Sequence, residues 1–418
     1  MNAPLRRGAC PGLSAPMATG DGLLARLTPA GSTISFDAFS GLCAAARAHG
    51  NGIVEVTSRG SIQFRGLSAT SAPIFAAEVA ALGIEGSDGI PVLANPLCGL
   101  DPGETFNAGP IAAALRMGLA TARFASRLAA KVSVVVDGGG ALHLDDVAAD
   151  VRLRAMDGGG YLHLSLGGDA ATAVPLGAVA LERTVECVLR LFEELASIAP
   201  HARMRDALRG DGLSAFKSAV ASLVVEAPAP AVRPAAEPFG VHPLRSGNAA
   251  VGVGLPFGHS DSGALQRLID TGRRAGATGL RTAPGRVLLV LGLPSSMTQN
   301  LAADAAALGF IVDADDPRRR VIACAGAPVC ASGQIPARAM APDIARIAGA
   351  LLRPGDVIHV SGCAKGCAHP AATRLAVFGR DGGCDVYVDG VLSCSVKIEA
   401  LPERIEKIVR SRAEADHG

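Results

Sequence analysis

Two short stretches near the C-terminal end decide the fold: Cys324-Ala-Gly-Ala-Pro-Val-Cys330 and Cys363-Ala-Lys-Gly-Cys367. The first places five residues between its cysteines and the second places three. Both are rich in glycine and alanine, so the backbone can fold tightly around a bulky inorganic group. Four thiolates complete the protein ligation of a 4Fe–4S cluster. The spacing predicts such a cluster, with a zinc site or unliganded thiols as alternatives, although zinc ligands usually come as closer C-x2-C pairs.

Composition bounds the class of protein. The chain has 418 residues, which suffices for two or three domains with a sizeable core. Its 39 Lys and Arg residues nearly balance 38 Asp and Glu residues, so the net charge gives no argument for binding to nucleic acid or to an anionic membrane. With no Trp and two Tyr, the chain also lacks an aromatic platform for stacking bases. Specificity for an anion must therefore come from a few placed cations.

The chemical state of the cysteines depends on the compartment in which the protein is expected. No stretch reaches the roughly 18 apolar residues of a membrane span, and proline and glycine interrupt the N-terminal segment. We therefore expect a cytoplasmic chain, in which cysteines are thiols or metal ligands and seldom disulfides. Six further cysteines show no paired spacing and are interpreted as small core or loop residues: Cys10, Cys43, Cys98, Cys187, Cys384 and Cys394.

The chain contains an internal repeat. The segment Leu42-Cys-Ala-Ala-Ala-Arg-Ala-His-Gly50 aligns with Leu268-Ile-Asp-Thr-Gly-Arg-Arg-Ala-Gly276, 226 positions later, and the same separation brings Gly66-Leu67 onto Gly292-Leu293. Each copy has the pattern of a helix, a glycine turn, a strand, a short turn and a second strand. A Pro/Ala-rich segment between the copies, from Glu226 to Pro238, predicts an extended linker. The sequence therefore predicts two pseudo-symmetric halves.

One strand differs between the two copies of the repeat. In Ser61-Ile-Gln-Phe-Arg65 apolar and polar residues alternate, which predicts a strand with one polar face. The corresponding Val287-Leu-Leu-Val-Leu291 is apolar throughout, as expected for a strand covered on both faces. The first copy thus offers a polar wall and the second half supplies thiolates, so a site between the halves would use both.

With these cysteine pairs and the duplicated module, the chain resembles the sirohaem-dependent nitrite and sulfite reductase superfamily, and within it the precorrin-3B synthase family. The resemblance implies an α+β fold of two pseudo-symmetric halves with ferredoxin-like half-modules. It implies half-modules at residues 20–75 and 244–297, nitrite/sulfite reductase-like domains at 88–225 and 318–412, and a Pro/Ala linker at 226–243. It further implies that the second such domain holds the 4Fe–4S cluster through Cys324, Cys330, Cys363 and Cys367.

The resemblance also assigns cations. The reductases place four around their substrate anion, and the motif Thr57-Ser-Arg59-Gly-Ser-Ile-Gln63 keeps the first of them. Ala94 replaces the second, and Lys131-Val-Ser133 keeps one lysine of two. With two of the four cations lost, the site would be less able to stabilise the charge that develops as bonds break during reduction of a small oxyanion. Cations spread along a wall instead suit a macrocycle with many carboxylates. The predicted substrate-binding residues are Arg59, Gln63, Arg65 and Lys131.

The activity implied by the resemblance is O2-dependent hydroxylation of precorrin-3A with γ-lactone formation, in aerobic cobalamin biosynthesis. NADH, directly or through a reductase partner, would supply the electrons. A mononuclear non-haem iron near the cluster is a hypothesis about oxygen activation, because a cubane with four thiolates has no obvious open position. No catalytic residue is predicted. His369 is interpreted as a hydrogen-bonding or structural residue near the cluster and not as a direct iron ligand, and His359 as a core histidine with satisfied hydrogen bonds.

Two alternatives stay open. The first is a sirohaem-dependent nitrite or sulfite reductase, in which Cys367 would also bridge to the sirohaem iron. The second is a non-catalytic protein, such as an iron–sulfur electron carrier or a zinc-stabilised binding module. A carrier needs no second half with a cation-bearing wall, so the duplicated scaffold favours an enzyme.

Overall fold

The computed structural model describes residues 11–86, 89–209, 212–352, 355–369 and 373–417. These residues form four β-sheets with helices packed on them, which is the predicted α+β class. We name four parts in chain order: the first half-module, the first large module, the second half-module and the cysteine module. None of the helices in these ranges combines the length and apolarity needed to cross a bilayer.

The first two parts occupy the N-terminal half. The first half-module consists of β1 (Met17–Thr19), β2 (Gly22–Leu27), α1 (Phe36–His49), β3 (Ile53–Val56), β4 (Ile62–Leu67) and α2 (Ser71–Ala81). The first large module consists of β5 (Val92–Ala94), α3 (Gly109–Ala120), β6 (Val134–Asp137), β7 (Ala149–Ala155), β8 (Tyr161–Gly168), β9 (Val174–Ala180), α4 (Thr184–Ile198), α5 (Met204–Ala207), α6 (Gly212–Val220) and β10 (Val224–Val225).

The other two parts follow in the same order. The second half-module consists of β11 (Gly240–Pro243), β12 (Ala249–Gly254), β13 (His259–Asp261), α7 (Ser262–Arg274), β14 (Gly279–Ala283), β15 (Val287–Leu293) and α8 (Thr298–Ala307). The cysteine module consists of β16 (Val321–Ala323), α9 (Ala337–Ala348), β17 (Ile358–Ser361), β18 (Leu375–Arg380), β19 (Gly383–Val388), β20 (Val391–Val396) and α10 (Leu401–His417).

The predicted repeat is confirmed in both kinds of module. The half-modules have strand orders β1-β2-β4-β3 and β11-β12-β15-β14, and helix α7 starts 226 positions after α1. Their N-caps correspond as well: Ser35 and Asp261 each accept a hydrogen bond from the backbone amide three residues ahead, at 3.1 and 2.9 Å. In the large modules, β5, β6 and β7 are parallel neighbours, as are β16, β17 and β18, and antiparallel strands follow in each.

The half-modules exchange backbone hydrogen bonds. Ile34, just before α1, pairs with Leu280 of β14 in both directions, at 2.8 and 2.9 Å. Strand β13, which precedes α7 in the same way, pairs with β3 and places Ser260 opposite Val54. A single hydrophobic core unites residues of both half-modules, whereas each large module has a core of its own. The two half-modules therefore form one body around a pseudo-two-fold axis.

Burial follows the predicted strand faces. In β4, Ile62 and Phe64 are buried while Gln63 and Arg65 are half-buried, so the strand has the expected polar face. In β15 every residue except Gly292 is buried. The polar wall of the first copy and the doubly covered strand of the second are thus both confirmed.

The segment between the halves is fixed to the first large module. Residues 226–238 contain neither helix nor strand. Within them, Arg233 donates to Asp145 at 2.7 Å and also pairs with Asp137, and both carboxylates are fully buried. Arg154 donates to the carbonyl of Ala231 at 2.8 Å. These contacts hold the linker at a defined place on the surface.

Replacing Arg233 with alanine would remove a main partner of the two buried carboxylates, Asp137 and Asp145. Breaking a buried ion pair from one side destabilises by about 3–5 kcal/mol, and partial exposure of Arg233 puts the expected loss near 3 kcal/mol. Burial alone raises the pKa of Asp145, but the hydrogen bonds and charge of Arg233 outweigh it and lower this pKa to about 2.

A depressed carboxyl pKa adds stability above the unfolded-state pKa of about 3.9, and this stability is lost as the pH falls toward 2. The difference in unfolding free energy between wild type and R233A should therefore be largest at pH 7 and shrink below about pH 4. Urea denaturation at pH 7 and pH 3 measures it, with the exposed Arg205→Ala as control. A deficit that is the same at both pH values would contradict this assignment.

Candidate metal centre

The fold brings the two cysteine loops to one sheet edge. Cys324 is the first residue after β16, and Cys363 lies two residues after β17. Because β16 and β17 are parallel neighbours, the segments that follow them leave the same edge of the sheet. Backbone hydrogen bonds join the loops: the Gln334 amide donates to the Gly362 carbonyl at 2.7 Å, and the Gly362 amide donates to the Cys324 sulfur at 3.0 Å.

Glycine permits this close approach. A Cβ atom placed on Gly362 would lie 2.6 Å from the Cα of Gly326, closer than a side chain tolerates. Gly326 itself has φ +63°, in the left-handed region that glycine adopts without strain. The glycines of the cysteine loops thus bring the two backbones together beside the thiols.

The spacing of the four sulfurs distinguishes a site for one zinc ion from a site for a larger metal cluster. Among the described residues, three or more metal-ligating atoms lie within 4.8 Å of one another only at Asp137, His143 and Asp145. No three of the sulfurs of Cys324, Cys330, Cys363 and Cys367 are therefore this close together. In a tetrahedral zinc site with Zn–S bonds of about 2.3 Å, neighbouring sulfurs are about 3.8 Å apart. The four sulfurs are therefore not gathered as a zinc site requires, and four cysteines on two adjoining loops are the donor set that a 4Fe–4S cluster would use.

The remaining cysteines behave as predicted where they are described. Cys43, Cys98, Cys187 and Cys384 are buried, and Cys394 is half-buried with its sulfur 3.2 Å from the Arg404 Nε. Burial raises the pKa of the Cys43 and Cys187 thiols to about 12, so they stay protonated. Cys10 lies outside the described residues.

A turn from the first half packs directly on one cysteine. Gly20 lies between β1 and β2, its carbonyl accepts from the Ala331 amide at 2.8 Å, and a Cβ atom on it would overlap the Cys330 sulfur. We call this contact region the seam: the β1–β2 turn, the polar face of β3 and β4, and the adjoining cysteine loops. The seam joins the polar wall of one half to the thiols of the other.

Arg65 holds the seam together. Its guanidinium binds Asp21 of the β1–β2 turn through two hydrogen bonds of 2.7 and 2.6 Å, and reaches Glu55 at 3.5 Å. Burial by itself raises the pKa of Asp21, but the hydrogen bonds and charge of Arg65 outweigh it and leave this pKa below its usual value. Arg338, in the first turn of α9, pairs with Glu55 from the other side. The predicted substrate residue Arg65 thus already serves two carboxylates of the protein.

Gln63 belongs to the same network. In the amide orientation that satisfies its neighbours, its nitrogen donates to Glu55 at 3.1 Å and its oxygen accepts from the Arg26 Nε at 3.0 Å. His259 of β13 lies opposite Glu55 in the strand register. Burial, followed by the charge of Arg338, lowers the pKa of His259 to about 3, so the imidazole is neutral at physiological pH.

Arg59 lies at the far end of the polar face, in the β3–β4 turn. The Thr57 hydroxyl accepts from the amides of Arg59 and Ser61, which fixes the turn, and the Arg59 guanidinium donates to the Ala148 carbonyl at 2.9 Å. Arg59 borders a cavity of about 50 Å³ together with Asn95. This volume holds a water molecule or two and not a macrocycle.

Lys131 is exposed in the turn before β6, which begins at Val134. Ser133, where the reductase pattern has a second lysine, is buried, and its amide donates to Asp150 at 2.9 Å. The structure thus places Gln63 and Arg65 on the polar face of β4, Arg59 in the turn before it, and Lys131 on the first large module. Their binding of substrate stays a prediction.

The first large module carries the counterpart of the cysteine site. Asn95 follows β5 as Cys324 follows β16, and Gly138 follows β6 as Gly362 follows β17. The Gly138 amide donates to the Asn95 side chain at 2.6 Å, which repeats the bond from the Gly362 amide to the Cys324 sulfur. The same backbone geometry therefore holds the side-chain amide of Asn95 in one half and the thiol of Cys324 in the other.

The two histidines near the second loop are neighbours. The rings of His359 and His369 are 6.1 Å apart, and burial, followed by the charge of His369, lowers the pKa of His359 to about 4. His359 is buried as predicted, but its Nε2 has no hydrogen-bond partner among the described residues, so the prediction of a satisfied histidine is wrong.

One other group has metal-like spacing. The ligand atoms of Asp137, His143 and Asp145 lie within 4.8 Å of one another. Arg233 pairs with both carboxylates, which closes this group to a cation. We therefore do not assign the hypothetical mononuclear iron to it.

Sequence reasoning missed four charged residues around the site: Asp21, Arg281, Arg286 and Arg338. Arg281 contacts the carbonyl of Cys98 at 2.9 Å and borders the same cavity as Arg59. Arg281 and Arg286 fall 226 positions after Glu55 and Gly60, so the repeat could have drawn attention to them. Asp21 and Arg338 carry no such signal.

Comparison with known proteins identifies the family. The family model described as the nitrite/sulfite reductase ferredoxin-like half domain matches residues 15–82. A precorrin-3B synthase from Sinorhizobium sp is 38% identical over 393 residues, which cover 93% of this chain and 84% of the relative. The chain belongs to the precorrin-3B synthase family.

More distant relatives of this precorrin-3B synthase family member place it in the wider superfamily. A ferredoxin–nitrite reductase from Synechococcus elongatus is 25% identical over 414 residues, covering 86% of this chain and 80% of the relative. The solved structure of the Mycobacterium tuberculosis NirA protein superposes with a TM-score of 0.72 over 93% of this chain and 80% of that chain, at 20% identity. The predicted superfamily and its fold are confirmed.

Replacing Gly20 with alanine should loosen the cysteine site, because the new methyl group would overlap the Cys330 sulfur. Overpacking of this kind destabilises by about 1–3 kcal/mol. In protein whose four cysteines have been loaded with iron and sulfide, we expect a chelator to remove iron several-fold faster from G20A than from wild type. Gly160→Ala is the matched control, since nothing lies within 4 Å of a Cβ atom there. Equal rates of iron loss in all three proteins would contradict the role of the seam.

Proposed function

We propose that this chain is an iron–sulfur monooxygenase that converts precorrin-3A to precorrin-3B in aerobic cobalamin biosynthesis. The observation that carries the proposal is the seam, where the β1–β2 turn packs on Cys330 and the arginine-bearing face of β4 adjoins the cysteine loops. A relative 38% identical over most of the chain bears the name precorrin-3B synthase. Fold, site and family membership support the same reaction.

The charges along the seam suit a large polycarboxylate. Precorrin-3A carries its carboxylates around the rim of a macrocycle, and guanidinium groups bind carboxylates through paired hydrogen bonds. Arg59 and the seam arginines are spread over the half-module face and not gathered at one point. The reductase pattern loses cations at Ala94 and at the buried Ser133, which argues against reduction of a small oxyanion.

The proposed reaction balances as a monooxygenation. One atom of O2 enters precorrin-3A, the other leaves as water, and NADH supplies two electrons directly or through a reductase partner. Cys324, Cys330, Cys363 and Cys367 would hold the 4Fe–4S cluster, which supplies one-electron transfer when bound. Gly326 and Gly362 let the backbone close around it, and the Gly362 amide stabilises the Cys324 sulfur by hydrogen bonding.

The direct test uses protein purified without air. Incubation with precorrin-3A, O2 and reductant should give a product one oxygen atom heavier, and 18O2 should label it once. A tightly bound tetrapyrrole with strong visible bands would instead support the sirohaem reductase alternative. An iron count of four per chain with no fifth would refute the mononuclear iron while leaving the cluster intact. We further propose that the enzyme acts in the cytoplasm.

Replacing Cys324 with serine should remove the cluster. An oxygen ligand binds iron more weakly than a thiolate and loses the hydrogen bond from Gly362 as it is now placed. We expect C324S to lose its broad visible absorption, acid-labile sulfide and conversion of precorrin-3A. Cys394→Ser, a half-buried cysteine beside Arg404, is the control and should keep all three. Full cluster content in C324S would contradict the assigned ligand set.

A further inference from the structure

One arginine at the seam lies in an unusual backbone setting. Arg286, in the β14–β15 turn, has φ +66°, and the Phe257-Gly258 turn opposite has φ +59° and +85°. Residues other than glycine rarely adopt the left-handed region, and such strain gathers at functional sites. A Cβ atom on Gly258 would lie 2.6 Å from the Arg286 Cδ. Gly258 is therefore required for the arginine stem to lie where it does.

The repeat shows that this strain is not needed to make the turn. Position 286 corresponds to Gly60, which has φ +81° and so carries the same conformation without cost. The two turns touch, because the Gly285 amide donates to the Ser58 carbonyl at 3.1 Å. The second copy has an arginine at the position where the first has a glycine. Because glycine suits this backbone conformation better, the reason for an arginine here must lie in the arginine side chain.

The surroundings of Arg286 point toward the cysteine module. Phe257 packs against the core of that module. On the side of the seam, burial lowers the pKa of Arg286 and the charge of nearby Glu55 opposes this shift. The half-buried side chain of Arg286 therefore packs beside the Phe257-Gly258 turn, which itself contacts the cysteine module.

Charge at the seam is unbalanced. Arg65 and Arg338 are bound by Asp21 and Glu55, so two carboxylates serve two guanidinium groups. Arg26 adds a further cation that binds only the neutral Gln63 amide in this network. Within the described ranges, the Arg286 guanidinium has no hydrogen bond or ion pair of its own, which leaves its positive charge without a bound anion in a partly desolvated place. A half-buried cation of this kind is stabilised by an anion that enters with a ligand.

We propose that Arg286 binds one carboxylate of the ligand that enters the seam beside the cysteine loops. Guanidinium recognises a carboxylate through two parallel hydrogen bonds, which fixes orientation as well as adding affinity. The inference rests on the proposed function for the identity of that ligand, a polycarboxylate tetrapyrrole. Within it, Arg286 is a substrate-binding residue that fixes the position of one rim carboxylate.

The test compares Arg286→Gly, Arg286→Lys and wild type, each loaded with its cluster. Because glycine suits φ +66°, R286G should melt no lower than wild type, so loss of binding cannot be attributed to unfolding. Precorrin-3A is titrated without oxygen, which prevents turnover, and binding is followed by its absorbance. We expect R286G to bind about tenfold or more weakly, and R286K to fall between, since charge-assisted hydrogen bonds carry about this much affinity.

Two controls sharpen the result. Arg346→Ala removes an arginine whose side chain is 70% exposed on the cysteine module, and it should bind as wild type does. A tetrapyrrole whose carboxylates are all esterified should bind to wild type and to R286G with equal affinity. If wild type converts precorrin-3A but R286G binds it equally well, the inference is overturned and the proposed function stands. If wild type binds no precorrin-3A, both are overturned.

Discussion

The hydrogen bonds exchanged between the two half-modules make the rest of the structure possible. Ile34 pairs with Leu280 and Ser260 lies opposite Val54, so each copy completes the sheet of the other just before its first helix. Each such bond contributes only about 1 kcal/mol, but the pairs fix the orientation in which both copies bury one common core. That orientation carries the face of β4 to the cysteine loops. Without it the polar wall and the thiols would belong to separate bodies.

Charge in the seam follows from this packing. Partly buried guanidinium groups interact strongly with every neighbour because little water remains to screen them. Asp21 and Glu55 neutralise Arg65 and Arg338, and His259 stays uncharged because it is buried, with the charge of Arg338 adding to this effect. A region with surplus positive charge beside four thiols favours negatively charged occupants, both an anionic cluster and a carboxylate-bearing ligand. The arginines of the seam thus have two functions, holding the halves together and setting the sign of the local field.

The sequence was most informative where local rules decide the outcome. The alternation in residues 61–65, the apolar run at 287–291 and the helix that recurs after 226 positions all predicted elements correctly, because period and capping act over a few residues. The convergence of the cysteine loops could be expected from the resemblance. The partner of Arg65 could not, since Asp21 lies 44 positions away and only the hairpin geometry brings it there. The positive φ of Arg286 could not be predicted either, because an arginine in the sequence does not indicate a left-handed turn conformation.

The common core of the half-modules has a consequence for biosynthesis on the ribosome. Residues 15–82 leave the ribosome early, yet part of the apolar surface that they must cover belongs to residues 251–310. The first large module, with a core of its own, can collapse in the meantime. The N-terminal sheet must therefore wait, with apolar groups exposed, while more than half of the chain is synthesised. Such delayed, sequence-distant closure slows folding and favours association with other nascent chains. A holding chaperone acting on the N-terminal segment would meet that demand.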